Sequence, residues 1–263
     1  MKRARQVISL LIRLVAGGAA FLVAGCGRPL PFVTPGAATR ESANTMNRVN
    51  VVGFGYNCTW LAIHTEDHHK LAKALDLTDA KSVTWDEGVR TVYDSDDRVL
   101  VTPPIRGWTF VVGPMALPGP PVGPDDLPRD RCLPLLKRLG RDYGDVQYFA
   151  SHHVVEFHAW ARVKNGQVIR AYSFCGDQGG TVGWRVGEKT ADEVALGFRF
   201  FDPVSPEAND DAYWDREDLT SPTEQNVMDL AARWSLDPSR ITESETRDLT
   251  CLLASPPAVW RSP

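Results

Sequence analysis

The chain has 263 residues, with 29 Lys and Arg against 33 Asp and Glu, a formal net charge of −4 at pH 7. This acidic balance argues against a nucleic acid partner, because binding to phosphate backbones draws much of its affinity from Lys and Arg. Hydrophobic residues make up 43% of the chain, an ordinary share for a globular protein with one sizeable core.

The N-terminal segment 1–25 begins with basic residues and continues in an apolar run that only Arg13 interrupts. The run ends in Val23-Ala24-Gly25-Cys26, which resembles the signal peptide of bacterial lipoproteins. The resemblance implies that Cys26 is acylated, as with palmitate, and becomes the first residue of the mature chain. The alternative is a plain secretory signal or a membrane helix, although Arg13 leaves pieces shorter than the roughly 20 residues of a spanning helix.

Lipidation predicts a place in the cell envelope, anchored to a bacterial membrane. The residue after the cysteine is Gly27 rather than an acidic residue. In a cell with two membranes, the resemblance to lipoprotein signals then implies the outer membrane, facing the periplasm. Without residues 1–25 the chain keeps 25 Lys and Arg against 33 Asp and Glu, a net charge of −8. Lipid on Cys26, rather than a basic patch, would therefore hold the protein at the membrane.

Composition divides the remaining chain into three parts. Residues 26–45 contain the lipidated cysteine and a tether rich in Pro, Ala, Thr, Ser and Gly, with no apolar period. Residues 46–255 are predicted to form one globular domain, and residues 256–263 a disordered tail.

The first half of the domain predicts a strand over 58–65, a helix over 66–77 capped by Thr65, and three further strands over 81–93, 98–102 and 108–112. Residues 113–134 contain many prolines and glycines, so they are predicted to cross the surface as a long connection. A helix follows over 133–143 and ends at Gly144.

Asn165-Gly166 predicts a β-hairpin, because this dipeptide tolerates the positive φ angles of a two-residue type I′ turn. With these residues as the loop, Arg162 would pair with Ile169, and His158 with Ser173. One face of the hairpin would then be apolar, with Val155, Phe157, Ala159, Ala161, Val163, Tyr172 and Phe174. The opposite face would hold Glu156, His158, Trp160, Arg162, Ser173 and Cys175, joined by His152 if no bulge intervenes.

The last third contains three candidate capping boxes, in which a hydroxyl residue precedes a glutamate by three positions: Thr190 with Glu193, Ser221 with Glu224, and Thr242 with Glu245. Each predicts a helix start. The elements together predict an α+β fold, with a mainly antiparallel sheet, the central Asn-Gly hairpin, and helices packed on one face of a single globular domain.

Four cysteines follow Cys26, namely Cys58, Cys132, Cys175 and Cys251. An even count in an exported chain permits two disulfides, in any of three pairings. The chain lacks the CxxC spacing of a metal site, and buried thiols outside any disulfide are the favoured interpretation.

His152, Glu156 and His158 are the candidate metal ligands, because imidazole and carboxylate are suitable for zinc. The spacing permits a site without indicating one. A strand rises about 13 Å from His152 to Glu156, so the two could meet only across a bend, whereas Glu156 and His158 lie about 7 Å apart along it. The alternative is a polar face in which Glu156 pairs with Arg162 or Arg170.

The candidate catalytic residues are Glu156, His158 and Ser173, since a hydroxyl beside a histidine and a carboxylate could act as a nucleophile; Cys175 is a further candidate. No nucleophile elbow surrounds them. The glycine-rich stretch 176–183 lacks the spacing of a phosphate-binding loop, so no cofactor is expected other than zinc.

Four segments, WLAIHTEDHHKLAKALDL, TPPIRGWTFVVG, VQYFASHHVVEFHAWARVKNGQVIRAYSF and WSLDP, resemble in this order a group of uncharacterised bacterial proteins without an assigned activity. The resemblance covers most of residues 56–240 and implies a single domain, but no catalytic residues. Eight tryptophans, with Tyr148, Tyr172 and Tyr213, are typical of recognition surfaces as well as cores. The sequence thus favours a non-enzymatic binding protein of the envelope, with another protein as partner. The alternative is an envelope hydrolase, metal-dependent or not, that uses the Glu156 and His158 face.

Overall fold

The computed structural model describes residues 53–177 and 180–261. The predicted leader, the predicted lipidation site at Cys26 and the predicted tether lie outside these residues. Within them the strands join into one antiparallel sheet of nine, in the order β2-β9-β3-β4-β1-β5-β6-β7-β8. The strands are β1 (Cys58–His64), β2 (Thr78–Thr84), β3 (Val99–Val101), β4 (Trp108–Val112), β5 (Asp145–His152), β6 (Phe157–Lys164), β7 (Gln167–Cys175), β8 (Thr181–Val186) and β9 (Thr250–Ser255).

The helices of the described residues are α1 (His68–Ala74), α2 (Trp85–Tyr93), α3 (Cys132–Tyr143), α4 (Ala191–Ala195), α5 (Asp211–Trp214), α6 (Glu224–Trp234), α7 (Glu243–Thr246) and α8 (Ala258–Arg261). The predicted α+β fold with a mainly antiparallel sheet is confirmed. No helix in the described ranges is both long and apolar enough to cross a bilayer.

Helices pack on both faces of the sheet, whereas the sequence predicted them on one. Helices α1 and α3 share a hydrophobic cluster with one face, and α2 and α6 share a cluster with the other. Strand β5 shows the reason, because large side chains occupy alternate positions on both of its faces. Tyr148 packs in the α3 cluster, and Phe149 packs in the α6 cluster against Trp234.

Residues 81–93 were predicted as one strand, but the structure divides them between β2 and α2. Thr84 ends the strand, and its Oγ1 accepts a hydrogen bond from the Glu87 amide at 3.3 Å, which caps the helix. Trp85, Val89 and Val92 are then buried at helical spacing. β-branched residues favour strands, but in this stretch they lie on the buried face of a helix. The strand prediction was wrong for this reason.

The C-terminal segment 256–263 was predicted to be disordered, yet it contains α8. The Trp260 amide donates to the Pro257 carbonyl at 3.0 Å, and Trp260 packs against the hydrophobic cluster of α1 and α3. The large apolar surface of one tryptophan accounts for this docking.

The four cysteines Cys58, Cys132, Cys175 and Cys251 are buried and form no disulfide with one another. Burial raises the pKa of Cys58 and Cys251 to about 12, so both remain protonated thiols at neutral pH. The favoured interpretation of buried, unbridged thiols is confirmed for these residues.

Strands β6 and β7 form the predicted hairpin, with φ of 49° at Asn165 and 79° at Gly166. The first two pairs, Lys164 with Gln167 and Val163 with Val168, follow the predicted register. Beyond them the register shifts, and Arg162 pairs with Arg170 because Ile169 is an extra residue, a β-bulge.

The bulge reverses the predicted facing of β7. Tyr172 pairs with Trp160, and Phe174 with His158, so both aromatic side chains lie on the face covered by α6. Ser173 therefore lies on the opposite face from His158, and the predicted Ser173–His158 pair is wrong. A shift of one residue moves every later side chain to the other face.

Candidate functional site

The structure does not place His152, Glu156 and His158 on one face. A short 3₁₀ turn, His153–Val155, separates β5 from β6, and exposed Glu156 follows it with a left-handed φ of 47°. His152 lies near Thr59, with Nε2 3.0 Å from Thr59 Oγ1, and His158 lies near Ser151. Because Ser151 and His152 are adjacent in a strand, these two histidines point to opposite faces.

The hypothesis that His152, Glu156 and His158 bind zinc therefore has no geometric support. In residues 53–177 and 180–261, no group of three or more His, Cys, Asp or Glu side chains is placed to hold a metal ion. The turn before Glu156 is the physical reason, because it removes Glu156 from the strand that the hypothesis required.

Ser173 also lacks the surroundings of a nucleophile. Its hydroxyl donates to the Pro121 carbonyl at 2.9 Å and accepts from the Trp184 amide at 2.8 Å. The Ser173 side chain is fully buried. Its two hydrogen bonds join the connection around Pro121 to β7 and β8. Cys175, the other candidate, directs its thiol to the Val155 carbonyl at 3.6 Å.

The structure instead brings Ser151, His158 and Glu224 together, on the face covered by α6. Ser151 Oγ donates to Glu224 Oε1 at 2.9 Å and lies 3.2 Å from His158 Nδ1. Glu224 Oε1 also accepts from the Asn57 amide at 2.6 Å. Ser151 and His158 are buried and Glu224 is partly exposed, and we call these three residues the buried polar triplet.

We did not identify Glu224 as a site residue from the sequence, because we predicted that it forms a capping box with Ser221. In the structure Thr223 and Asn226 form that box, so Glu224 is the first residue of α6 and its carboxylate reaches Ser151 and Asn57. The other two boxes, Thr190 with Glu193 and Thr242 with Glu245, are confirmed.

The triplet differs from a hydrolytic triad, in which histidine lies between the serine and the carboxylate. Here the serine lies between them and gives its single proton to Glu224. Ser151 is fully buried and His158 is 4% exposed. Burial lowers the pKa of His158 to about 4, so the imidazole is neutral at pH 7. The geometry thus joins the segment at Asn57 to α6, with no nucleophile open to a substrate.

A cavity of about 330 Å³ lies on the same face, between strands β7 and β8 and residues 187–202, and we call it the edge pocket. Its volume is near the lower end of the range for small-ligand sites, about 300–1,000 Å³. Apolar and aromatic side chains form part of its wall: Tyr172, Val182, Phe198, Phe200 and Phe201.

A buried ion pair fixes one end of the edge pocket. Arg170 Nε contacts both carboxylate oxygens of Glu193, at 3.0 and 3.2 Å, and its Nη1 donates to the Gly187 carbonyl at 2.9 Å. Glu193 also accepts from Trp160 Nε1 and from the Thr190 amide. These bonds compensate the charge of Glu193, which is 1% exposed, and hold the guanidinium in one orientation.

Tyr172 is the unusual member of the pocket. Its hydroxyl is buried and has no hydrogen-bond partner among the residues that the structure describes. The Arg170 guanidinium carbon lies 5.3 Å from the centre of the Tyr172 ring. Burial raises the pKa of Tyr172, although Arg170 opposes the rise, so the phenol keeps its proton and is a hydrogen-bond donor.

The outer part of the pocket has both charges. Arg185 forms an ion pair with Asp202, and Lys189 Nζ donates to the Phe198 carbonyl at 2.7 Å. Glu188 is exposed at the same place. Cations and anions therefore balance here, and the mouth gives no strong selection by net charge.

From the sequence we placed Tyr172 on the apolar face of the hairpin and also named it among the aromatic residues of a possible recognition surface, while Arg170 was considered only as a partner of Glu156. The Thr190 capping box did locate Glu193 on a helix start, but that glutamate lies 23 residues after Arg170 and nothing local connects the two. The segment that covers the pocket, residues 187–202, contains no sequence motif of a binding site.

Comparison of the chain with protein-family models, with curated proteins and with solved structures gave no match. The geometry of the site is therefore the basis for the functional proposal.

Proposed function

We propose that this chain is a non-enzymatic binding protein of the bacterial cell envelope, held at a membrane by lipid on Cys26, and that the edge pocket is its ligand site. Tyr172 is the observation on which the proposal rests. Its ring is part of the pocket wall, while its buried hydroxyl is left without a partner in the described part of the chain. The anchor rests on the resemblance of residues 1–26 to a lipoprotein leader.

The free-energy cost of the unpartnered Tyr172 hydroxyl favours a ligand beside it. A buried hydroxyl without a partner costs about 1–3 kcal/mol, and a ligand that accepts its hydrogen bond would recover part of this cost. The Arg170–Glu193 pair is already fixed before any ligand arrives, so little ordering is needed on binding.

A protein partner is a second proposal, and the exposed tryptophan beside the pocket favours it. Trp214 is 42% exposed and stacks on the pocket residue Phe201, with 5.5 Å between ring centres. Exposed aromatic side chains of this kind are common anchors in protein interfaces. The hydrolase alternative gains no such support, because Glu156, His158 and Ser173 lie apart.

A fragment screen on the full-length protein in detergent tests the proposed ligand site, with melting temperature as the first measurement. Compounds that raise the melting temperature are then titrated against the wild type, Tyr172→Phe and Tyr56→Phe. Tyr56 is exposed on the segment before β1, outside the residues that line the pocket, and serves as the matched control.

We expect Tyr172→Phe to weaken binding of the hits about ten-fold, and Tyr56→Phe to leave it unchanged, since only the first substitution removes a donor from the pocket. The proposal fails if no compound binds, or if the hits bind Tyr172→Phe as tightly as the wild type.

A further inference from the structure

Two side chains that line the edge pocket have hydrogen-bond donors without a partner among the described residues. The Tyr172 hydroxyl is one of them. Arg170 supplies the second, because its hydrogen bonds use Nε and Nη1, and Nη2 donates to none of the described residues. Both groups belong to β7, two residues apart on the same face of the strand.

The carboxylate acceptor beside Arg170 is already engaged. One oxygen of Glu193 accepts from Arg170 and Trp160, and the other accepts from Arg170 and the Thr190 amide. At the mouth, Asp202 is paired with Arg185, while exposed Glu188 lies beside Lys189 in the chain. A ligand that enters deeply would therefore meet donors rather than acceptors.

A carboxylate matches these donors better than other acceptor groups do. Hydrogen bonds from a guanidinium and a phenol to a carboxylate are charge-assisted and stronger than bonds to a neutral oxygen. A doubly charged phosphate fits less well, because the positive charge of Arg170 is already compensated by Glu193. A neutral acceptor such as an amide would form the bonds without the added strength of charge.

The side chains of the pocket wall and the pocket volume indicate the chemical character and the size of the remaining part of the ligand. Phe198 and Phe200 contact one another and the Trp160 ring, with centres 5.2–6.0 Å apart, so the space beside the donors is aromatic. A volume of about 330 Å³ limits the ligand to a compact molecule.

We propose that the edge pocket binds a small monocarboxylate with an aromatic or otherwise apolar body, its carboxylate on Tyr172 and Arg170 and its body against Phe198 and Phe200. This inference rests on the proposed function, since it names the class of ligand for the same site.

Calorimetric titration of the full-length protein in detergent tests the ligand class with pairs of nearly equal shape. Benzoate and phenylacetate are compared with their neutral amides, benzamide and phenylacetamide, and with benzylamine as a cation. We expect each carboxylate to bind at least ten-fold more tightly than its amide, and benzylamine to bind most weakly. This comparison needs no variant, so a substitution that prevents folding cannot obscure it.

Variants then locate the effect. Tyr172→Phe should reduce carboxylate affinity about ten-fold and amide affinity less, because a bond to a charged group is lost in the first case. Arg170→Lys keeps the charge and removes Nη2, and circular dichroism checks that it folds. Tyr56→Phe should leave all affinities unchanged.

Two results would overturn the ligand class while leaving the proposed function intact. One is equal or tighter binding of the amides or the amine; the other is no carboxylate binding while other fragments bind in a manner that depends on Tyr172. If no fragment of any kind binds, the proposed function fails and the inference fails with it.

Discussion

Two tyrosine hydroxyls of this protein differ in their hydrogen bonding, so the same substitution should change the free energy of unfolding differently at the two positions. The Tyr93 hydroxyl accepts from the Gly55 amide at 3.1 Å and donates to the Tyr56 carbonyl at 2.9 Å. The Tyr172 hydroxyl has no partner among the described residues. We expect Tyr93→Phe to lower the free energy of unfolding by about 1–2 kcal/mol, and Tyr172→Phe to leave it unchanged or raise it by about 1 kcal/mol.

Urea denaturation of the two variants and the wild type, without ligand, measures this difference. If Tyr172→Phe proves as destabilising as Tyr93→Phe, the Tyr172 hydroxyl has a structural partner and is not a donor reserved for a ligand.

His158 predicts a dependence of stability on pH. Burial, opposed by Glu224 and assisted by His152, lowers its pKa from 6.5 to about 4 in the folded protein. Between these values the unfolded chain binds a proton that the folded protein does not. Stability is therefore highest above pH 6.5 and falls as the pH drops toward 4, by up to roughly 3 kcal/mol from this residue.

The difference between wild type and His158→Asn, measured by urea denaturation from pH 4 to 7.5, isolates this contribution. Asparagine can still approach Ser151 with a polar group but does not titrate. We expect the wild type to lose more stability than the variant as the pH falls below 6.5; parallel curves would show that folding does not lower the pKa of His158.

At the scale of elements, the connection around Pro121 is held against β8 by a close approach of backbone to backbone. The Pro121 and Val122 carbonyls accept from Ser173 Oγ and Thr181 Oγ1, and a Cβ atom on Gly183 would clash with the Pro121 carbonyl. Gly119, in the same connection, has nothing within 4 Å of such an atom.

Gly183→Ala should therefore destabilise the protein by about 2–3 kcal/mol, whereas Gly119→Ala should change the free energy of unfolding by less than about 0.5 kcal/mol. Chemical denaturation of the two variants provides the comparison. Equal, small effects would mean that the connection around Pro121 does not depend on contact with β8.

Local signals were sufficient for those elements that local chemistry determines. Asn165-Gly166 specified the hairpin turn, Gly144 ended α3, and Thr190 with Glu193 marked the start of α4. The start of α2 was missed because Thr84 is a good strand residue as well as a good cap, and only the burial of Trp85, Val89 and Val92 distinguishes the two.

The candidate site could be predicted only in part, since its members meet through tertiary structure. Arg170 and Tyr172 lie in the predicted hairpin, but the bulge at Ile169 decides which face they occupy, and the sequence shows no signal for it. Glu193 and the aromatic cover come from a later segment. The buried polar triplet likewise depends on Glu224, which reaches Ser151 from 73 residues away.

At the scale of the whole molecule, the proposed anchor predicts where the protein is found in a cell. Expressed in a bacterial host, the wild type should incorporate labelled palmitate and enter the detergent phase on partitioning. Cys26→Ser should lose the label and move to the aqueous phase, because acyl chains rather than basic residues are proposed to hold the chain at the membrane. A Cys26→Ser protein that stays with the membrane would show that the leader acts as something other than a lipoprotein signal.

The described domain places its two polar features on one face of the sheet, under different cover. Helix α6 covers the buried polar triplet, while residues 187–202 cover the edge pocket at β7 and β8, where the sheet ends. Ser151 and His158 are buried and Glu224 is partly exposed, whereas the edge pocket combines donors that have no partner among the described residues with aromatic walls. We expect binding, rather than catalysis, at that edge of the molecule.

A structure of the protein with a bound hit from the fragment screen tests the ligand site most directly. We expect the ligand to occupy the edge pocket, with an acceptor atom about 3 Å from the Tyr172 hydroxyl. A ligand bound elsewhere, or a Tyr172 hydroxyl that is bonded to a protein group in the complex, would contradict it.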